Sequence, residues 1–209
     1  MTLAERVDIA VRENDITLLN SAGPNAKIPF YIGEVGVERY VLGNPGQKHI
    51  LLCIGVNPST ADSTKYDPTT GRIRRLQESD KNAYDGWLII NPYPQCTPHP
   101  KNLDDLKNNP SAQAEKLVRD RLDRNEKVLR LLKEYLNGQK VTVWACWGDG
   151  IEIQPYLKES AMTIYEVFED AEWLQKGSLT KEKHNPRHPL CRFFDGGFQT
   201  FERKKCFGG

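Results

Sequence analysis

Three mainly apolar stretches, Ile50 to Val56, Trp87 to Ile90 and Val141 to Trp147, set the architecture before any other feature is read. A short apolar run bounded by polar sequence suits a strand covered on both faces, as in a parallel sheet, whereas strict alternation marks a strand with one wet face. The gaps between the runs, about 30 and 50 residues, each leave room for a crossover helix. One helix is expected from about Thr69 to Ser79, and a longer one from Ser111 to Leu136, stopped by Asn137-Gly138. Right-handed crossovers then place helices on both faces. The expected fold is a three-layer αβα domain around a central, mainly parallel sheet.

The flanks add detail. Thr2 followed by Glu5 is a capping-box pattern, so the chain should open with a helix, ended by Ser21 to Pro24. Pro29 to Ile32 and Val37 to Leu42, with Gly33 and Gly36 between them, predict an antiparallel edge hairpin. After Gly150 the pattern weakens: a short helix is expected over Ile153 to Ser160, an acidic stretch over Glu166 to Glu172, and a last strand near Gly177 to Thr180.

A length of 209 residues supports one sizeable core, so residues 1–209 are read as a single domain. The apolar runs are too short to span a bilayer. Glu5, Arg6, Asp8, Arg12, Glu13 and Asp15 interrupt any secretory signal, and a cytoplasmic protein is expected. Five cysteines, an odd number without CxxC spacing, suggest neither a disulfide framework nor a zinc or iron–sulfur cluster, and no cofactor is expected. His184 and His188 are four apart, but Pro186 between them spoils a helical ligand pair, so no metal site is assigned. A net charge of +1 supplies no global attraction to nucleic acid, although a local basic face remains open.

Open parallel sheets bind ligands beyond the carboxyl ends of their strands. Here those ends read Gly55-Val56-Asn57-Pro58-Ser59-Thr60-Ala61-Asp62, Asn91-Pro92-Tyr93-Pro94 and Trp147-Gly148-Asp149-Gly150, with Arg187-His188-Pro189-Leu190 further on. A side-chain amide offers both donor and acceptor, which suits reading a nucleobase edge or placing a water better than abstracting a proton. His188 is the best acid, base or charge-stabilising candidate. Arg72, Arg74 and Arg75 after Asp67-Pro68-Thr69-Thr70 form a candidate phosphate cluster at a helix start, joined by Lys181, Lys183, Arg187 and Arg192 around His188. Tyr93, Phe193 and Phe194 are available for stacking on bases. The plainer readings are turn chemistry for Asn-Pro, a solvated helix face for the arginines and core packing for the phenylalanines. His99 reads as a loop residue, and Cys96 lacks an activating base pattern.

The set Asn57 to Asp62, Asp67-Pro68-Thr69, Arg74-Arg75, Asn91, Trp147-Gly148 and Arg187 to Leu190 resembles a bacterial and phage domain-of-unknown-function family, number 1643, over a core of about residues 30–192. Gly55-Val56-Asn57-Pro58 also resembles the water-positioning motif of mismatch-specific uracil-DNA glycosylases. In that wider superfamily a later strand ends in a base-reading Asn, another in Trp-Gly, and a last motif begins His-Pro; Asn91, Trp147-Gly148 and His188-Pro189 follow in that order. The likeness implies a uracil-DNA glycosylase-like fold, with Asn57 positioning water, Asn91 reading the base and His188 stabilising the departing base. Gly55, Pro58, Ser59, Tyr93 and Gly148 would shape the substrate site, and the basic residues would follow phosphate of a nucleic acid or nucleotide. Ser59 stands where the mismatch-specific enzymes have Gly, and Leu190-Cys191-Arg192 lacks their Ser-containing continuation. Two other functions therefore stay in play: a non-catalytic nucleotide or nucleic-acid binding module, and a hydrolase of free nucleosides or nucleotides.

Overall fold

The three apolar runs become the strands β3 (His49–Ile54), β4 (Gly86–Ile90) and β5 (Lys140–Ala145), each buried on both faces. The computed structural model describes residues 1–79, 83–192 and 194–208. Together with β1 (Phe30–Glu34), β2 (Glu38–Asn44), β6 (Glu172–Lys176) and β7 (Phe198–Thr200) they form one seven-stranded sheet in the order β1-β2-β4-β3-β5-β6-β7. The middle, β4-β3-β5-β6, is parallel, while β1, β2 and β7 run antiparallel at the edges.

Both faces are covered because successive side chains of each strand point opposite ways. Leu51, Cys53, Trp87, Ile89 and Trp144 pack with Ile73 of α2 (Pro68–Ser79) on one side. Ile50, Leu52, Ile54, Leu88, Ile90 and Val143 join the core under α1 (Leu3–Glu13), α3 (Ala112–Tyr135) and α4 (Pro155–Val167) on the other. Each such fully buried aliphatic side chain contributes roughly 1.5–3 kcal/mol relative to exposure. The α/β class, the mainly parallel sheet, the capping box at Thr2 and the edge hairpin all stand as the sequence implies.

Three boundaries differ. The opening helix stops at Glu13, where Asn14 turns left-handed at φ 50, and a short 3-10 turn follows over Ile16–Leu19. Leu18, 48% exposed, lies beyond that stop in the 3-10 turn, so a helix expected to end at Ser21 to Pro24 overran it. The helix after Gly150 runs on to Val167. The last parallel strand is not at Gly177 to Thr180: β6 ends at Lys176, and Gly177, at φ +66, turns the chain out of the sheet. Its Trp173 and Gln175 are buried in alternation with more exposed neighbours, a pattern that an acidic reading of the segment hides. The three-residue β7 and the single-turn α5 (Arg203–Phe207) were not expected.

Chain order positions the site. From β3 the chain crosses by α2 to β4 on one side, and from β4 it crosses by α3 to β5 on the other. The two crossovers part above the end of β3, which opens a crevice there. Among the described residues no helix is long and apolar enough to cross a membrane.

Candidate functional site

In that crevice lies a cavity of about 430 Å³, within the roughly 300–1,000 Å³ usual for small-molecule sites. Gly55, Asn57, Ser59, Asn91, Gly148 and His188 all line it, so three strand ends and the Arg187-to-Leu190 segment converge as the sequence implied.

Asn91, at the tip of β4, is 2% exposed, and among the described residues neither its Nδ2 nor its Oδ1 has a hydrogen-bond partner. Leaving a buried polar atom unpaired costs about 1–3 kcal/mol, so two on one side chain mark a group reserved for something that enters the cavity. The turn that carries it is well held. The Nδ2 of Asn125 on α3 donates to the carbonyls of Asn91 and Pro92 at 3.0 and 3.2 Å, and Ser160 Oγ donates to the Pro92 carbonyl at 2.6 Å. Gly55 makes the necessary room, since a Cβ there would stand 2.6 Å from Asn91 Oδ1.

Asn57 follows β3. Its Nδ2 donates to the carbonyls of Pro58 and Thr97, both at 2.8 Å, which pins the two loops of the cavity wall together. No described residue donates to its Oδ1, so the acceptor half of the amide remains for a ligand or a water. Pro58 is buried behind the wall and does not line the cavity; its carbonyl also accepts from the Thr97 amide at 2.9 Å.

His188 reaches the cavity beside β5. The Leu190 amide donates to its Nδ1 at 3.2 Å, so in the neutral ring the proton sits on Nε2. Burial lowers the imidazole pKa and the nearby Asp67 carboxylate opposes this; the net shift is downward, which keeps the ring neutral at pH 7. Gly148, at φ +65, donates its amide to the Pro186 carbonyl at 2.8 Å, and a Cβ on it would press to 3.2 Å from His188 Cβ. The Trp-Gly pair thus sets the depth at which the histidine segment docks.

Two charged wall residues were given no site role by the sequence reading. Arg39 on β2 is 1% exposed; its Nη1 donates to the Ala61 carbonyl at 2.9 Å, its Nε is unpaired, and it forms no ion pair with a described residue. Its signal was the pair Glu38-Arg39, two charges inside an otherwise apolar strand. Asp67 is 7% exposed and lines the cavity at the start of α2. Its Oδ1 accepts from the amide and hydroxyl of Thr70 at 2.8 and 2.9 Å, which caps the helix. No described residue donates to its Oδ2.

Other expected residues lie elsewhere. Tyr93 is fully buried and does not line the cavity: its hydroxyl donates to Asp104, and its ring packs on Tyr156 at 4.7 Å, so it cannot stack on a base. Only the first turn of α2, Pro68, Thr69 and Thr70, reaches the cavity; Ile73 faces the sheet and the helical rotation carries the three arginines away. Arg72 and Arg75 are exposed, and Arg74 pairs with Glu78 at 2.8 Å over the Tyr66 ring. Arg187 donates through Nε to the Ser178 carbonyl at 2.8 Å, which fastens its own segment. Lys181, Lys183 and Arg192 are exposed, Phe194 is half-buried beneath Lys176, and Phe193 lies outside the described residues. Burial pushes the Cys96 thiol up, away from nucleophilic use. Among the described residues no three His, Cys, Asp or Glu side chains gather as metal ligands.

No curated protein and no solved structure matches the chain. A family model, Protein of unknown function (DUF1643), matches residues 39–190, a span that begins at Arg39 and ends at Leu190, the first and last residues of the cavity wall. The chain belongs to the DUF1643 family.

Proposed function

We propose that the cavity binds a nucleobase and hydrolyses its N-glycosidic bond. The observation that carries this reading is Asn91: a buried amide with donor and acceptor both unspent matches the paired donor and acceptor edge of a base, and no apolar or purely anionic ligand uses both. The order of Asn57, Asn91, Trp147-Gly148 and His188-Pro189 supports it through the resemblance to the uracil-DNA glycosylase superfamily.

In the proposed reaction Asn57 Oδ1 orients a water toward the anomeric carbon. The water oxygen bonds to that carbon as the carbon–nitrogen bond breaks, and the electron pair of that bond leaves with the base. His188 donates a hydrogen bond from Nε2 to the charge that grows on the base, a task for which a neutral ring suffices. Asp67 Oδ2 takes the proton that the water loses, a role the amide of Asn57 cannot fill. Ser59 and Gly148 border the sugar and base. The products are a sugar with a 1-hydroxyl and a base that leaves as its anion and takes a proton from solvent, while Asp67 gives up the proton it accepted.

A binding module without turnover is the second reading, favoured by one observation: the Nδ2 of Asn57 is committed to holding loops. Purified protein incubated with free nucleosides, nucleotides and single- and double-stranded oligonucleotides, with released base detected by mass spectrometry, separates the two. Release from wild type that falls at least a hundredfold in Asn57→Ala and His188→Ala is the expected result. Folded wild-type protein that binds one of these ligands and releases no base would leave the binding module in its place.

A further inference from the structure

We infer that the cavity contains an anion subsite built on Arg39, and that its ligand is a free nucleoside monophosphate whose phosphate lies on that guanidinium. The inference rests on the base-reading role of Asn91 and names the substrate class of the same site.

A buried guanidinium without an ionic partner is costly, because its charge is taken from water with nothing in return. Arg39 meets that description, with one donor used on the Ala61 carbonyl and Nε left unpaired in the cavity wall. The nearby carboxylates of Asp67 and Asp62 offset the cost of burial only in part, and neither forms an ion pair with it among the described residues. Asp67 turns its Oδ1 to Thr70, and Asp62 turns its Oδ1 to Thr64 and Lys65. The twelve-residue α2 opens onto the same cavity through Pro68, Thr69 and Thr70, and a helix start adds positive potential for an anion. A guanidinium fork of this kind fits a phosphate with two parallel hydrogen bonds.

The depth of Arg39 selects the kind of phosphate. At 1% exposure it is reached only by a group that enters the cavity, and a terminal monoester can do so. A phosphodiester inside a strand continues in both directions, so both continuations would have to leave the cavity past a guanidinium that is only 1% exposed. The cations that would follow a strand outside do not line the wall: Arg74 is held by Glu78 and Arg187 by Ser178.

Titration calorimetry on the wild-type protein tests this with the common ribo- and deoxyribonucleoside 5′-monophosphates, their nucleosides, ribose 5-phosphate, and one oligonucleotide with and without a 5′-phosphate. The expected result is a monophosphate that binds at least tenfold tighter than its nucleoside and tighter than either oligonucleotide. In Arg39→Gln that preference should vanish, and in Arg39→Lys much of it should return. If Arg39→Gln does not fold, the wild-type comparison alone decides. Equal affinity for nucleoside and monophosphate, or tightest binding of an oligonucleotide, overturns the inference and leaves base reading intact. Ribose 5-phosphate bound as well as every nucleotide supports the anion subsite and removes base reading. Binding of none of these ligands overturns both.

Discussion

Glu38 and Arg39 are neighbours on β2, both almost fully buried, yet they live in opposite electrostatic worlds. On the α3 side, Glu38 Oε1 accepts from Arg121 Nε at 2.8 Å and Arg124 Nη2 at 3.0 Å, and its Oε2 accepts from the Tyr40 hydroxyl at 2.5 Å. Arg121 continues to Asp104, which also receives the Tyr93 hydroxyl. Burial pushes the Glu38 carboxyl up, but the hydrogen bonds from Tyr40 and Arg121 and the two guanidinium charges outweigh it and hold the group below its ordinary value. On the α2 side Arg39 has no carboxylate partner among the described residues, and Asn91, in the same cavity wall, has two idle polar atoms. Buried asparagines repeat the contrast: Asn125 spends its Nδ2 on backbone carbonyls, whereas Asn91 spends nothing on any described residue. Saturated polar groups fasten β2 and the β4 turn to α3, whereas Arg39 and Asn91 carry unpaired atoms in the cavity wall. On the proposed function, the first set serves stability and the second a ligand.

The largest effect expected from breaking the contrast is on the saturated side. Arg121→Met leaves Glu38 and Asp104 short of a buried partner and should cost about 3–5 kcal/mol in urea unfolding. A cost below about 1 kcal/mol would put that cluster among surface ion pairs, which contribute little.

A smaller and sharper effect is expected with pH. The His188 pKa is lowered below the ordinary value of about 6.5, so base release should be level from pH 7 to 8 and fall about tenfold per pH unit once the ring protonates. The stability sign is the same. The unfolded chain accepts this proton more readily than the folded one, so stability is complete above the unfolded pKa and declines as pH falls through the folded one. A rate that rises on acidification through that range would show that the charged imidazole is the active form.

The central layer was legible because a strand buried on both faces leaves a continuous apolar run, as at Ile50 to Val56, and the strand-end rule then located Asn57, Asn91 and Gly148. Strands toward the edge leave weaker marks: β6, next to last in the sheet, alternates like a half-exposed strand, and β7 has three residues, too few for a period. The arginine reading erred for a geometric reason. Arg72, Arg74 and Arg75 are close to the cavity in sequence, but only the first turn of their helix touches it. Arg39 was invisible to a search of strand ends, because it comes from a strand antiparallel to β4, whose relevant end is its beginning. Tyr93 shows the limit of reasoning from adjacency, since two residues beyond Asn91 the side chain belongs to the saturated face.

The smallest stability effect is also the most telling. Asn91→Leu replaces an unpaired amide with an apolar group of similar shape, so unfolding free energy should rise or change by no more than about 1 kcal/mol. Urea unfolding and base release measured together on this variant test directly whether Asn91 is held in reserve for a ligand. Unchanged or greater stability with release abolished is the expected result. A loss of more than about 2 kcal/mol with release intact would show that the amide serves the fold and that the cavity reads its ligand by other means.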